Sequence, residues 1–123
     1  MIDFVTDSQA GVIEFTVDGR ISREQYDAVA AEIESQIAQH GKVNIVEIIR
    51  DFEGMEPSLW WRDIRWGFDH LSQLSRTAVV TDSGWIGPVS KAVGALMPVD
   101  IRVFPMRDLD AARLWVREDR ASA

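Results

Sequence analysis

The 123-residue chain predicts a single α/β domain: a mixed, mostly parallel five-stranded sheet with about four helices, in the order β-β-α-β-α-β-α-β-α. Three observations carry this. Val43, Ile45, Val46, Ile48 and Ile49 form a short β-branched run, the composition of a strand covered on both faces. Helical and strand periodicities then alternate to the end of the chain, which calls for parallel strands joined by crossovers. The first two strands, by contrast, are separated only by Asp7 to Gly11, a span short enough for a hairpin, so the first should run antiparallel.

Ile2 to Thr6 and Val12 to Val17 are the hairpin strands, with Ile13, Phe15 and Val17 on one face of the second and Asp18-Gly19 closing it. Ser22 and Gln25 have capping-box spacing. From there Tyr26, Val29, Ala30, Ile33 and Ile37 make one apolar helical stripe, with Glu24, Asp27, Glu32, Glu34 and Gln36 off it, and Gly41 supplies the left-handed stop after His40. The central strand is expected to end in an Arg50-Asp51-Phe52-Glu53-Gly54 turn. Pro57 then opens an aromatic helix over 58–74, with Trp60, Ile64, Phe68 and Leu71 on its core face. Met55, Leu59 and Trp66 form a second stripe that a scaffold helix does not need. A further strand spans Thr77 to Thr81, followed by an Asp82-Ser83-Gly84 turn. From Trp85 to Val99 the only charge is Lys91, and Gly87, Gly94 and Pro98 weaken the helix that Pro88 would start. Ile101 to Phe104 is the last strand. Asp108 is expected to cap a final helix that turns Leu109, Ala112, Trp115 and Val116 inward.

Composition narrows the function. A net charge of -7 opposes binding to nucleic acid and attraction to anionic lipid. Absence of cysteine removes thiol nucleophiles, thiolate metal sites and disulfides, in keeping with a cytoplasmic protein. No stretch of the sequence is apolar for the length of a membrane span, and the opening residues lack the features of a signal peptide. His40 and His70 are the only near-neutral bases; His70 with Asp63 provides too few ligands for a metal, and no phosphate loop or nucleophile elbow is present. The sequence therefore reads as a non-enzyme with no cofactor and no metal.

In an open α/β sheet a ligand sits beyond the carboxyl ends of the central strands. Phe52, Met55, Trp60, Trp61, Trp85, Ile86, Val89, Val93 and Met97 are the apolar residues placed to line that crevice, and Glu47, sharing a strand face with Val43, Ile45 and Ile49, is either a polar anchor or a carboxylate paired with Arg50, Arg76 or Arg102. The expected ligand is an apolar or amphipathic, lipid-like small molecule, exchanged at a peripheral membrane surface with residues 85–99 as the gate. The alternative is a protein-interaction module that self-associates as a homodimer through Met55, Leu59 and Trp66.

The order of elements, the run from Lys42 to Gly54, the Leu59-Trp60 pair, Ala78-Val79-Val80-Thr81-Asp82 and the closing Asp110-Ala111-Ala112-Arg113-Leu114-Trp115-Val116 together resemble the SpoIIAA-like family. The resemblance covers nearly the whole chain. It implies a STAS-like fold and kinship with lipid-binding CRAL-TRIO domains, which hold apolar ligands under a movable gate. STAS anti-sigma antagonists carry a phosphorylatable serine in the turn after the central strand. Here that turn holds Glu53 and Gly54, so the switch is not expected, and Ser83 in its later turn does not inherit the role.

Overall fold

The computed structural model describes residues 2–55, 65–66, 73–84, 86, 88, 91, 95 and 100–118, the side chains of 52–55 excepted. Five strands lie side by side in chain order: β1 (Ile2–Asp7), β2 (Val12–Ile21), β3 (Val43–Met55), β4 (Leu74–Thr81) and β5 (Asp100–Phe104). β1 is antiparallel to β2, and the other three pairings are parallel. This is the mixed, mostly parallel sheet that the strand run and the short hairpin connection require. Two α-helices are delimited among the described residues, α1 (Arg23–His40) and α2 (Leu109–Arg117), the latter entered through a 3-10 turn at Met106–Asp108. Of the about four helices expected, the other two fall on ranges mostly outside the described residues, although Arg65, Trp66, Ile86, Pro88, Lys91 and Ala95 have helical backbone.

The sheet divides the core in two, as alternation of side chains along a strand demands. Val12, Val46, Ile48, Ala78 and Val80 face α2 and pack with its Ala112, Trp115 and Val116. Ile13, Val43 and Ile45 face α1 and pack with Val29 and Ile33, with Trp66 and Leu74 at the margin. At its start α1 has the expected capping box: Ser22 Oγ accepts from the Gln25 N–H, and Gln25 Oε1 accepts from the Ser22 N–H. Gly41 stops it at φ 76°, its N–H donating to the Ile37 carbonyl.

Several boundaries correct the sequence reading. β2 does not end at Val17: register shifts at Val17/Asp18 and Gly19/Arg20 carry it on to Ile21, and Gly19, at φ 82°, sits in this irregularity rather than in a terminating turn. Nor does β3 stop at Arg50, because Asp51, Phe52, Gly54 and Met55 pair with Asp18, Gly19, Arg20 and Ile21. β4 begins at Leu74, so the expected helix over 58–74 does not reach its last residue; Leu74 pairs with Val43 as strand. Asp108 holds the N-cap position of α2 without a side-chain capping bond. Gln36, placed off the α1 stripe because it is polar, is only 1% exposed. Two turns from Val29, it shares that buried face and donates to Ser8 Oγ in the β1–β2 connection at 3.4 Å.

Candidate functional site

Because β2 and β3 run on while β4 ends at Thr81, opposite Ile49, the carboxyl-terminal side of the sheet carries a two-stranded ribbon, Asp18–Ile21 against Asp51–Met55. The ribbon runs past the end of β4, on the side of the sheet where open α/β folds take ligands. The turn after β4 borders the same end. There the Ser83 N–H donates to Thr81 Oγ1 at 3.1 Å, and Asp82 Oδ1 accepts from the Met106 N–H at 3.0 Å, tying the turn to the entry of α2. Asp82 and Ser83 thus have structural partners, as turn-forming residues do.

Glu47 lies midway along β3, between Phe15 on β2 and Val79 on β4. Alternation places it on the α1 side, with Val43 and Ile45, as the strand pattern predicts. It is half-buried and is not without a partner. Two of the arginines proposed to pair with it are on the other side of the sheet. The guanidinium carbons of Arg76 and Arg102 stand 5.1 Å and 4.8 Å from the centre of the Trp115 ring, on the face covered by α2. A sheet one residue thick separates these cations from the carboxylate, a consequence of strand parity.

Ile86, in helical conformation just past the turn, is 8% exposed, so the low-charge segment has at least one side chain packed inward. Phe52 and Met55 are strand residues of the ribbon, their side chains outside the description. Leu59, Trp60, Trp61, Trp85, Val89, Val93 and Met97 lie outside the described residues, as do Asp63, His70 and most of the proposed gate at 85–99.

Trp66 differs from its expected place. It does not stand clear of the core on a second stripe; it packs half-buried against the cluster of Ile13, Val29 and Ile33, and its indole N–H donates to Glu34 Oε1 at 2.9 Å. A helical wheel assumes one core face, whereas this helix position meets α1 as well as the sheet. Trp66→Ala is therefore expected to lower stability by roughly 1.5–2.5 kcal/mol, about half the cost of truncating a fully buried tryptophan. Urea unfolding of the variant checks this, and a change within 0.5 kcal/mol, the usual range for surface positions, would show the contact to be idle.

The α2 side of the sheet is clamped by charge. Arg113 grips Glu14 of β2 with two hydrogen bonds, 2.7 Å from Nε and 2.8 Å from an Nη. Its pKa is raised above the ordinary arginine value, chiefly by that hydrogen bond, with burial acting against the shift. Arg117 reaches Asp7 of β1 at 3.2 Å. Asn44, which sequence reasoning passed over, joins three elements: its Nδ2 donates to the Val116 carbonyl at 2.8 Å and its Oδ1 accepts from the Arg76 N–H at 2.9 Å. An asparagine inside a β-branched strand run was the available signal, since the side chain has nothing apolar to contribute there.

A cavity of about 150 Å³ opens at the opposite, amino-terminal end of β3 and β4, beside His40, Lys42, Asn44 and Ser75. Among the described residues no three potential ligands cluster to hold a metal, and no helix is long and apolar enough to cross a membrane.

The SpoIIAA-like family model matches residues 12–117. The chain belongs to the SpoIIAA-like family. Among solved structures, this SpoIIAA-like domain is similar to an uncharacterised protein of the DUF3478 family with a SpoIIAA-like fold from Shewanella loihica PV-4. The TM-score is 0.73 at 19% identity, over 94% of this chain and 92% of that one. At that identity the likeness concerns the fold. No curated protein matches.

Proposed function

We propose that this SpoIIAA-like domain is a non-catalytic binding module for an apolar or amphipathic, lipid-like ligand, held at the carboxyl-terminal end of the sheet. The observation that carries the reading is the β2–β3 ribbon, which runs past the end of β4 at the side of the sheet where open α/β folds take ligands. Ile86, buried just beyond the turn after β4, is in keeping with apolar cover at this end of the sheet. Glu47, on the α1-side face of β3, is the carboxylate that would orient a polar head group. Membrane contact would be peripheral and driven by apolar burial, because the net charge of -7 opposes anionic lipid.

The alternative, self-association through Met55, Leu59 and Trp66, has less support, since Trp66 already uses part of its surface against α1. The test is native mass spectrometry of the purified protein, followed by hydrogen exchange with and without palmitate. A co-purified lipid-sized adduct, with palmitate slowing exchange at residues 51–55 and 80–84, is the expected result. No adduct and unchanged exchange at both segments would overturn the proposal.

A further inference from the structure

We infer that the outer edge of β1 is a docking site for an extended segment of another protein, one that alternates apolar and basic residues. Among the described residues no strand pairs with that edge. Strand edges in folded proteins are usually blunted by lysine or other charged side chains, proline, a bulge or a covering element. β5, the other edge, has exposed Asp100 and Arg102 and ends at Pro105. β1 is less guarded: it pairs with β2 from Ile2↔Val17 to Asp7↔Val12 without a register shift, it has no lysine or proline, and of its two charges Asp7 is held by Arg117, which leaves Asp3. It also carries two of the exposed large apolar side chains, Phe4 at 38% and Val5 at 70%.

The two faces of β1 differ in a way that defines the partner. Ile2 packs against the α1-side cluster and Thr6 donates to Glu32 of α1 at 3.1 Å, so the even positions, Phe4 among them, lie on the α1 side. Asp7 binds Arg117 of α2, and Val5 is opposite Glu14, which binds Arg113 of α2, so Asp3, Val5 and Asp7 lie on the other side. An added strand therefore meets Ile2, Phe4 and Thr6 on one face, and on the other Asp3 with the exposed Val5 beside it and Asp7 shared with Arg117. Backbone pairing would supply affinity, and alternation in the partner would supply specificity. Opposite charges across a strand pair are favourable and like charges unfavourable. This argues against a second copy as occupant, since each copy has a net charge of -7 and presents the same acidic face.

The probe is an acetylated, amidated octapeptide of alternating valine and lysine, with a valine and glutamate peptide as its counterpart, each titrated by calorimetry at low and high salt. Hydrogen exchange localises the contact. The expected result is binding of the lysine peptide only, weakened by salt, with slowed exchange at Ile2–Asp7. Asp3→Lys should weaken binding about fivefold, because a favourable cross-strand pair becomes an unfavourable one, while Asp100→Lys at the far edge leaves it unchanged. Circular dichroism of both variants verifies folding. Equal binding of the glutamate peptide, unchanged exchange at β1, or equal losses from the two variants would overturn the inference. So would sedimentation showing a dimer whose formation itself protects β1, since the occupant would then be a second copy.

Discussion

Trp115→Ala is expected to destabilise the domain by about 3–5 kcal/mol, the largest effect of any single truncation among the described residues. Trp115 is 5% exposed and sits in the α2-side cluster with Val12, Val46, Ile48, Ala78 and Val80, so alanine leaves a void bounded by three strands. Phe104 loses a tilted ring partner at 6.0 Å. The effect is not only apolar. The guanidiniums of Arg76 and Arg102 both lie on the indole, and the Arg76 side chain is largely buried, its Nε 4.0 Å from Asp100 and its Nη1 3.0 Å from Glu118. Removing the ring takes a favourable quadrupole away from a cation that has little access to water. Trp115→Phe keeps a ring and should cost less than half as much. Denaturant unfolding of both variants checks the order. A Phe variant as unstable as the Ala variant would locate the energy in the indole's shape rather than in an aromatic face.

Asn44→Ala is expected to lower stability by roughly 2–4 kcal/mol, because it strands two polar groups at once, each worth about 1–3 kcal/mol when left unpaired in a buried place. The Arg76 N–H and the Val116 carbonyl are both satisfied by this one amide. The site falls where β3 and β4 shift register between Val43 and Ile45, so the regular ladder is interrupted and a side chain bonds the Arg76 N–H. Asn44→Asp separates the two bonds: it keeps the acceptor for the Arg76 N–H and replaces the donor to Val116 with a repulsive oxygen. The aspartate variant should fray the end of α2 specifically, seen as faster amide exchange at residues 113–117. If both variants unfold like the wild type, solvent reaches these groups and the junction is not a structural tie.

Legibility followed the reach of each signal. The capping box at Ser22 and Gln25, the left-handed Gly41 and the inward set of Ala112, Trp115 and Val116 are local patterns of three to eight residues, and the structure reproduces them. The ends of β2 and β3 were misjudged because Asp18, Gly19, Asp51 and Gly54 are turn formers in isolation. Their strand conformation comes from pairing with each other across roughly thirty residues of chain, which no window of sequence contains. Gln36 and Trp66 were misplaced for a related reason. A helical wheel assigns faces by polarity, but Gln36 is covered by the β1–β2 connection and Trp66 meets α1, two neighbours that exist only after folding. Glu47 was assigned to the correct strand face by parity, while its suggested partners Arg76 and Arg102 proved to be across the sheet.

By itself, then, the sequence determined the α/β class, the antiparallel first strand, the parity of the central strand and membership of the SpoIIAA-like family, all of which rest on spacing and residue type along the chain. Only the tertiary structure decided where the strands end, that a β2–β3 ribbon runs past β4, which arginines share a face with Trp115, and which strands form the two edges. Those properties depend on which segments become neighbours, and backbone pairing between distant segments outweighs the fraction of a kcal/mol by which most single residues prefer one local conformation.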